Sequence, residues 1–109
     1  MSIEVCRNSE LTIITLSGRF DSLLAKEFKS CVVRLIETNQ VKLIIDMGAV
    51  NFIDSSGLGA LVGCLKTISK EKGEVRIAAL TPEVRTIFEL TRLHRIFDMF
   101  ETLDAALSL

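Results

Sequence analysis

The run Val41-Lys42-Leu43-Ile44-Ile45-Asp46-Met47 and, a few residues on, the hexapeptide Asp54-Ser55-Ser56-Gly57-Leu58-Gly59 set the architecture of this chain. Val41 to Met47 is short, mostly apolar and β-branched, the composition of a strand covered on both faces. From Leu58 the period changes. Leu58, Leu61, Val62, Leu65 and Ile68 recur three and four residues apart, the stripe of an amphipathic helix. Lys66, Lys70 and Lys72 favour the far end of that helix, where the dipole suits cations, and Gly73 is expected just past its end. Val75 to Leu80 reads as a second buried strand. Strand, helix, strand makes a βαβ unit with parallel strands.

Working outward to the N-terminus, Ile3-Glu4-Val5-Cys6-Arg7 alternates with period two, Asn8-Ser9-Glu10 reads as a turn, and Leu11 to Leu16 alternates again. That pattern is a β-hairpin. Ser17-Gly18-Arg19-Phe20-Asp21 is expected to break the second strand, leaving Asp21 or Ser22 to cap a helix that ends near Asn39. The apolar positions of that helix are Leu24, Phe28, Cys31, Val32 and Leu35, with Lys26, Glu27, Lys29 and Arg34 between them as a wet face.

Toward the C-terminus, Thr81-Pro82-Glu83 supplies a cap, a proline at the first helical position and an acid in the first turn. Val84, Ile87 and Phe88 form one face of the third helix. Ile96 to Phe100 is either a final strand or a loop packed on the core, and Thr102 to Ser108 reads as a last helix. The expectation is a single α/β domain over residues 1–109. It combines a mixed sheet, an N-terminal hairpin joined to parallel βαβ strands, with about four helices packed against it.

Composition narrows the function classes. With 49% apolar and 25% charged residues, the chain is an ordinary globular sequence able to bury a core. A net charge of −1 without a basic stripe speaks against nucleic acid as a partner. Met1-Ser2-Ile3-Glu4 has no basic n-region followed by an apolar segment, and no apolar run reaches the roughly 18 residues of a membrane span. A cytoplasmic protein without membrane insertion is expected.

Cys6, Cys31 and Cys64 are odd in number and widely spaced in apolar patterns, so they are expected as buried free thiols, not as metal ligands or a disulfide framework. His94, the one histidine, is expected on the surface, and no metal or cofactor site is indicated. Gly57-Leu58-Gly59 lacks the third glycine of a dinucleotide fingerprint. Asp-Ser-Ser-Gly is not a Gly-x-Ser-x-Gly elbow, and the lone His has no triad context, so an enzyme is not expected.

The hexapeptide carries the chemistry. Two hydroxyls and a carboxylate stand where a helix begins, beside unpaired backbone N–H groups and the positive end of the dipole. Asp54 reads equally as a turn acceptor for backbone N–H groups or as part of a functional face. Ser56 reads as the helix cap. Gly57 and Gly59 leave the backbone open to a partner's loop, while Gly59 and Gly63 together read as a close helix–sheet packing pair.

Phe52-Ile53-Asp54-Ser55-Ser56-Gly57-Leu58-Gly59 resembles the signature of the STAS domain, in particular the bacterial anti-sigma factor antagonists. Gly18-Arg19-Phe20-Asp21 is similar to the family's Gly-x-x-Asp, and Gly73-Glu74, Thr81-Pro82-Glu83-Val84 and Leu90 to Phe97 also fit. The resemblance implies a switch: the unphosphorylated protein binds an anti-sigma factor that is also a serine kinase, and phosphorylation releases it until a serine phosphatase resets the state. By position, the phosphorylated residue corresponds to Ser55. Asp21, Asp54, Ser56, Gly57, Leu58 and Gly59 correspond to the partner-binding and switching surface. The phosphate is expected to be tolerated by the fold and rejected by the partner.

One departure stands out: Leu90-Thr91-Arg92-Leu93 carries Arg92 where relatives often have Gly, so a different local turn is expected there. The alternative class is a STAS scaffold, or an accessory subunit of a transporter or signalling complex, that is never phosphorylated.

Overall fold

The computed structural model describes residues 3–108. Met1, Ser2 and Leu109, which bound the 1–109 span and begin the leader reading, lie outside the described residues. β1 (Ile3–Asn8) and β2 (Leu11–Phe20) pair antiparallel around a tight turn in which Ser9 takes a left-handed backbone, φ 59°. Each later strand is reached through a helix. α1 (Ser22–Glu37) leads to β3 (Lys42–Ile53), α2 (Ser55–Lys70) to β4 (Glu74–Ala78), and α3 (Pro82–Leu90), with a 3-10 turn over Leu93–Arg95, to β5 (Asp98–Phe100). The sheet order is β1-β2-β3-β4-β5, parallel in every pair after the first. α4 (Leu103–Leu107) follows the last strand.

Strand residues alternate between the two sheet faces, and the two faces have different cover. Ile14, Leu16, Leu43, Ile45 and Ile77 meet Phe28 of α1, Leu61 of α2 and Phe88 of α3 in the main core. Ile13, Ile44 and Ala78 meet Ala106 of α4 in a smaller cluster on the other side. Leu43, Ile44 and Ile45 of β3 are all fully buried, which is why Val41 to Met47 reads as continuous apolar sequence. The short α4 is held by Arg76, whose Nη1 donates to the Ala106 carbonyl oxygen at 2.6 Å while Nη2 pairs with Glu74 at 2.9 Å.

Several expectations change. The segment Ser17 to Asp21 does not break β2. Its register against β3 shifts between Thr15 and Ser17 and again between Gly18 and Arg19, with Gly18 at φ +85°, so the strand bends and runs on to Phe20. β3 extends with it to Ile53, well past Met47. At the end of α2 the left-handed residue is Lys72, φ 60°, not Gly73. Gly73 is needed for proximity instead, since a Cβ there would stand 2.1 Å from the Val41 carbonyl oxygen.

Arg92 adopts the left-handed conformation itself, φ 63°, so the turn is kept despite the missing glycine. Thr81 makes no side-chain cap on α3; its hydroxyl donates to the Val50 carbonyl oxygen at 3.3 Å. Of the 96–100 segment, Asp98–Phe100 is strand β5, while Ile96 and Phe97 lead into it from the 3-10 turn. Cys31 and Cys64 are buried, but Cys6 is exposed on β1, an edge strand whose outer residues lack cover.

Candidate functional site

The bent end of β2 and the extended end of β3 finish side by side, and each passes directly into a helix through an Asp-Ser pair. Asp21 is the N-cap of α1; its Oδ1 accepts from the N–H groups of Leu23 and Leu24 at 3.2 and 3.3 Å. Asp54 is the N-cap of α2 and accepts from the N–H groups of Ser56 and Gly57 at 2.9 and 3.2 Å. The two caps have nearly the same backbone, φ −104° and ψ −166° at Asp21 against φ −116° and ψ −171° at Asp54. Both satisfy N–H groups that a helix start otherwise leaves without partners.

Capping at α2 therefore belongs to Asp54, and Ser56 is not the cap. Ser56 stands two residues into the helix, half-buried, and gives its backbone N–H to Asp54. Ser55, the first helical residue, is exposed, and its hydroxyl makes no hydrogen bond among the described residues.

Gly57 has a structural reason for having no side chain. It is buried against the end of β2, where a Cβ would stand 2.5 Å from the Phe20 carbonyl oxygen and 2.8 Å from Ile53 Cγ1. It offers no surface to a partner, contrary to the expectation for both glycines. The Asp54 N–H donates to the same Phe20 oxygen at 3.4 Å, joining the two strand ends. Leu58 is half-buried against the main core. Gly59, by contrast, is exposed with open space where a Cβ would stand, and Gly63 one turn on is equally open. These two do not mark close helix–sheet packing.

Ser55, Ser56 and Gly59 of α2 face Ser22, Ala25, Lys26 and Lys29 of α1 across a shallow hollow of about 390 Å³. The structure thus brings Ser55, Ser56 and Gly59 together at the surface and turns Gly57 and Leu58 inward. Lys26 and Lys29 were legible only as the wet face of a helix; their spacing of three puts them on one side of α1, but which element that side overlooks is a tertiary fact. His94 is exposed, with Nδ1 3.4 Å from the Phe88 carbonyl oxygen. Among the described residues no three His, Cys, Asp or Glu side chains gather as metal ligands, and no helix is long and apolar enough to cross a membrane.

A parallel-stranded sheet entered by a hairpin, with an Asp-capped serine exposed where the third strand passes into its helix, defines a class. Residues 2–106 match the STAS domain, and the chain belongs to that family. The anti-sigma-B factor antagonist of Listeria monocytogenes is 31% identical over 104 residues, spanning 91% of this chain and 88% of that one. An anti-sigma factor antagonist from Mycobacterium paratuberculosis superposes with a TM-score of 0.87 at 28% identity, over 97% of this chain and 90% of that one. The Bacillus cell fate determinant SpoIIAA in its phosphorylated form shares the fold, with a TM-score of 0.77 at 20% identity over 96% of each chain.

Proposed function

We propose that this protein is an anti-sigma factor antagonist, switched by phosphorylation of Ser55. The observation that carries the reading is the Ser55 hydroxyl itself. It is exposed, makes no hydrogen bond among the described residues, and stands on a backbone clamped by the Asp54 cap and the Gly57–Phe20 contact. A protein kinase needs an accessible hydroxyl in a defined place, and a clamped helix start presents one. That a protein of the same fold exists in a phosphorylated form supports the same reading.

In the unmodified state the surface around Ser55, with Asp21, Ser56 and Gly59, binds an anti-sigma factor that is also a serine kinase. Phosphate adds nearly two negative charges and three acceptor oxygens at that surface. The helix N-terminus stabilises the anion by roughly 0.3–1 kcal/mol, so the fold persists. A partner surface that packs against the hydroxyl has to desolvate the dianion, a cost of several kcal/mol, so the complex does not. A serine phosphatase returns the protein to its binding form. The protein acts in the cytoplasm as a regulator, not as an enzyme.

The test is mass spectrometry after incubation with ATP and the cognate kinase, with binding measured for Ser55→Ala and Ser55→Asp. Phosphate on Ser55 and loss of binding in Ser55→Asp are expected. An unmodified Ser55, with Ser55→Asp binding like wild type, refutes the switch and leaves the scaffold or accessory-subunit reading.

A further inference from the structure

Lys26 and Lys29 leave the same face of α1 and line the hollow that Ser55 overlooks. No acidic side chain lines it. Asp21 and Asp54, the acids that precede the two helices, each have an oxygen engaged by backbone N–H groups of the caps. Among the described residues the one ion pair joins Arg76 to Glu74, so neither lysine is committed to a carboxylate. Gly59 leaves open space over the same hollow. A group added to Ser55 therefore meets a volume of about 390 Å³ whose charged side chains are both cationic.

We infer that Lys26 and Lys29 are the counter-ions of a phosphate on Ser55. The inference rests on the reading of Ser55 as the acceptor. Two ammonium groups match the nearly two negative charges of phosphoserine, and both stand on flexible stems that line the same hollow as Ser55. The charge change is then absorbed within the domain. Before modification the hollow is cationic; afterwards it is close to neutral. Phosphorylation in this arrangement both adds an anion and removes two cations from what a partner meets.

The test uses the full chain with phosphoserine placed at position 55 by genetic encoding, which needs no kinase. The phosphate's second ionisation is followed by phosphorus NMR in this protein and in K26Q/K29Q carrying the same phosphoserine. Nearby cations favour the dianion, so the wild-type midpoint is expected to lie at least about half a pH unit below that of the double variant at low salt. The gap is expected to shrink in about 1 M salt, where charges are screened within about 3 Å. K26R/K29R is expected to keep the low midpoint.

Equal midpoints in wild type and K26Q/K29Q overturn the pairing, whether or not any kinase modifies Ser55. Conversely, a kinase assay that leaves Ser55 unmodified overturns the acceptor reading without touching the phosphorus result. Both lysines are exposed, and circular dichroism checks the fold. Should the double variant not fold, K26Q and K29Q decide singly: a smaller shift in each supports the pairing, and none in either refutes it.

Discussion

Phe20 and Gly57 meet where β2 ends and α2 begins, so closely that a Cβ on the glycine would stand 2.5 Å from the phenylalanine's carbonyl oxygen. The neighbour is backbone, which cannot rotate away, and the same oxygen accepts the Asp54 N–H at 3.4 Å. Gly57→Ala gains about 1 kcal/mol in helix propensity, but overpacking against fixed atoms costs about 1–3 kcal/mol or more. The expected outcome is a net loss of stability in urea unfolding, with a displaced α2 start. Gly59→Ala is the control. With nothing within 4 Å of its Cβ position, it is expected to stabilise by up to about 1 kcal/mol. Equal effects of the two substitutions would sink the assignment of Gly57 as the packed glycine and Gly59 as the open one.

Asp54 and Ser56 are separated by the same logic. Removing an N-cap carboxylate that serves two backbone N–H groups costs about 0.5–2 kcal/mol, whereas a half-buried serine without a side-chain hydrogen bond among the described residues costs within about 0.5 kcal/mol. Thermal melts of Asp54→Ala and Ser56→Ala therefore differ, with the aspartate variant the less stable. A larger loss at Ser56 would return the cap to the serine.

The hairpin and the βαβ core were legible because their residues follow a local period: alternation in Ile3 to Arg7, a continuous apolar run in Leu43 to Ile45, a helical stripe from Leu58. The second half of β3 was not. Gly48, Ala49 and Asn51 are weak strand formers, and Val50 to Ile53 becomes strand by pairing with the Gly18–Phe20 end of β2, a partner set by the fold and not by nearby sequence. Gly73 illustrates a related gap. A glycine after a helix suggests a left-handed turn, yet here Lys72 makes the turn and Gly73 makes room for Val41. Of the site, Asp54 and Ser55 were visible as a helix start. Lys26 and Lys29 were not, because only the packing of α1 beside α2 brings them to Ser55.

Arg92 holds a left-handed backbone that costs an L-residue roughly 1–2 kcal/mol. Glycine adopts it freely but loses about 0.5–1 kcal/mol more entropy on folding. Arg92→Gly is therefore expected to stabilise by about 0.5–1 kcal/mol, seen as a rise of a few degrees in Tm. A fall in Tm would mean that the arginine side chain contributes more than its backbone strain removes.

Buried thiols give the protein an alkaline limit. Burial pushes the Cys64 thiol up to about 12, with Cys31 adding a smaller effect in the same direction, and burial raises Cys31 against the opposing charge of Arg34. In the unfolded chain both titrate near pH 8.5. Between about pH 9 and 12 the unfolded state therefore binds fewer protons than the folded one, and stability falls as pH rises, by up to about 1.4 kcal/mol per pH unit for a group fully ionised only when unfolded. Below that window the contribution is fully present. Urea midpoints across the range are expected to fall steadily, and less steeply in Cys64→Ala. The chain has no tyrosine, so thiolate absorbance follows the same transition without interference. Exposed Cys6 is expected to react with a thiol reagent in the native protein, while Cys31 and Cys64 react only as the protein opens. A Cys64 that labels as fast as Cys6 in the native protein, or an alkaline slope unchanged by Cys64→Ala, would remove burial as the cause.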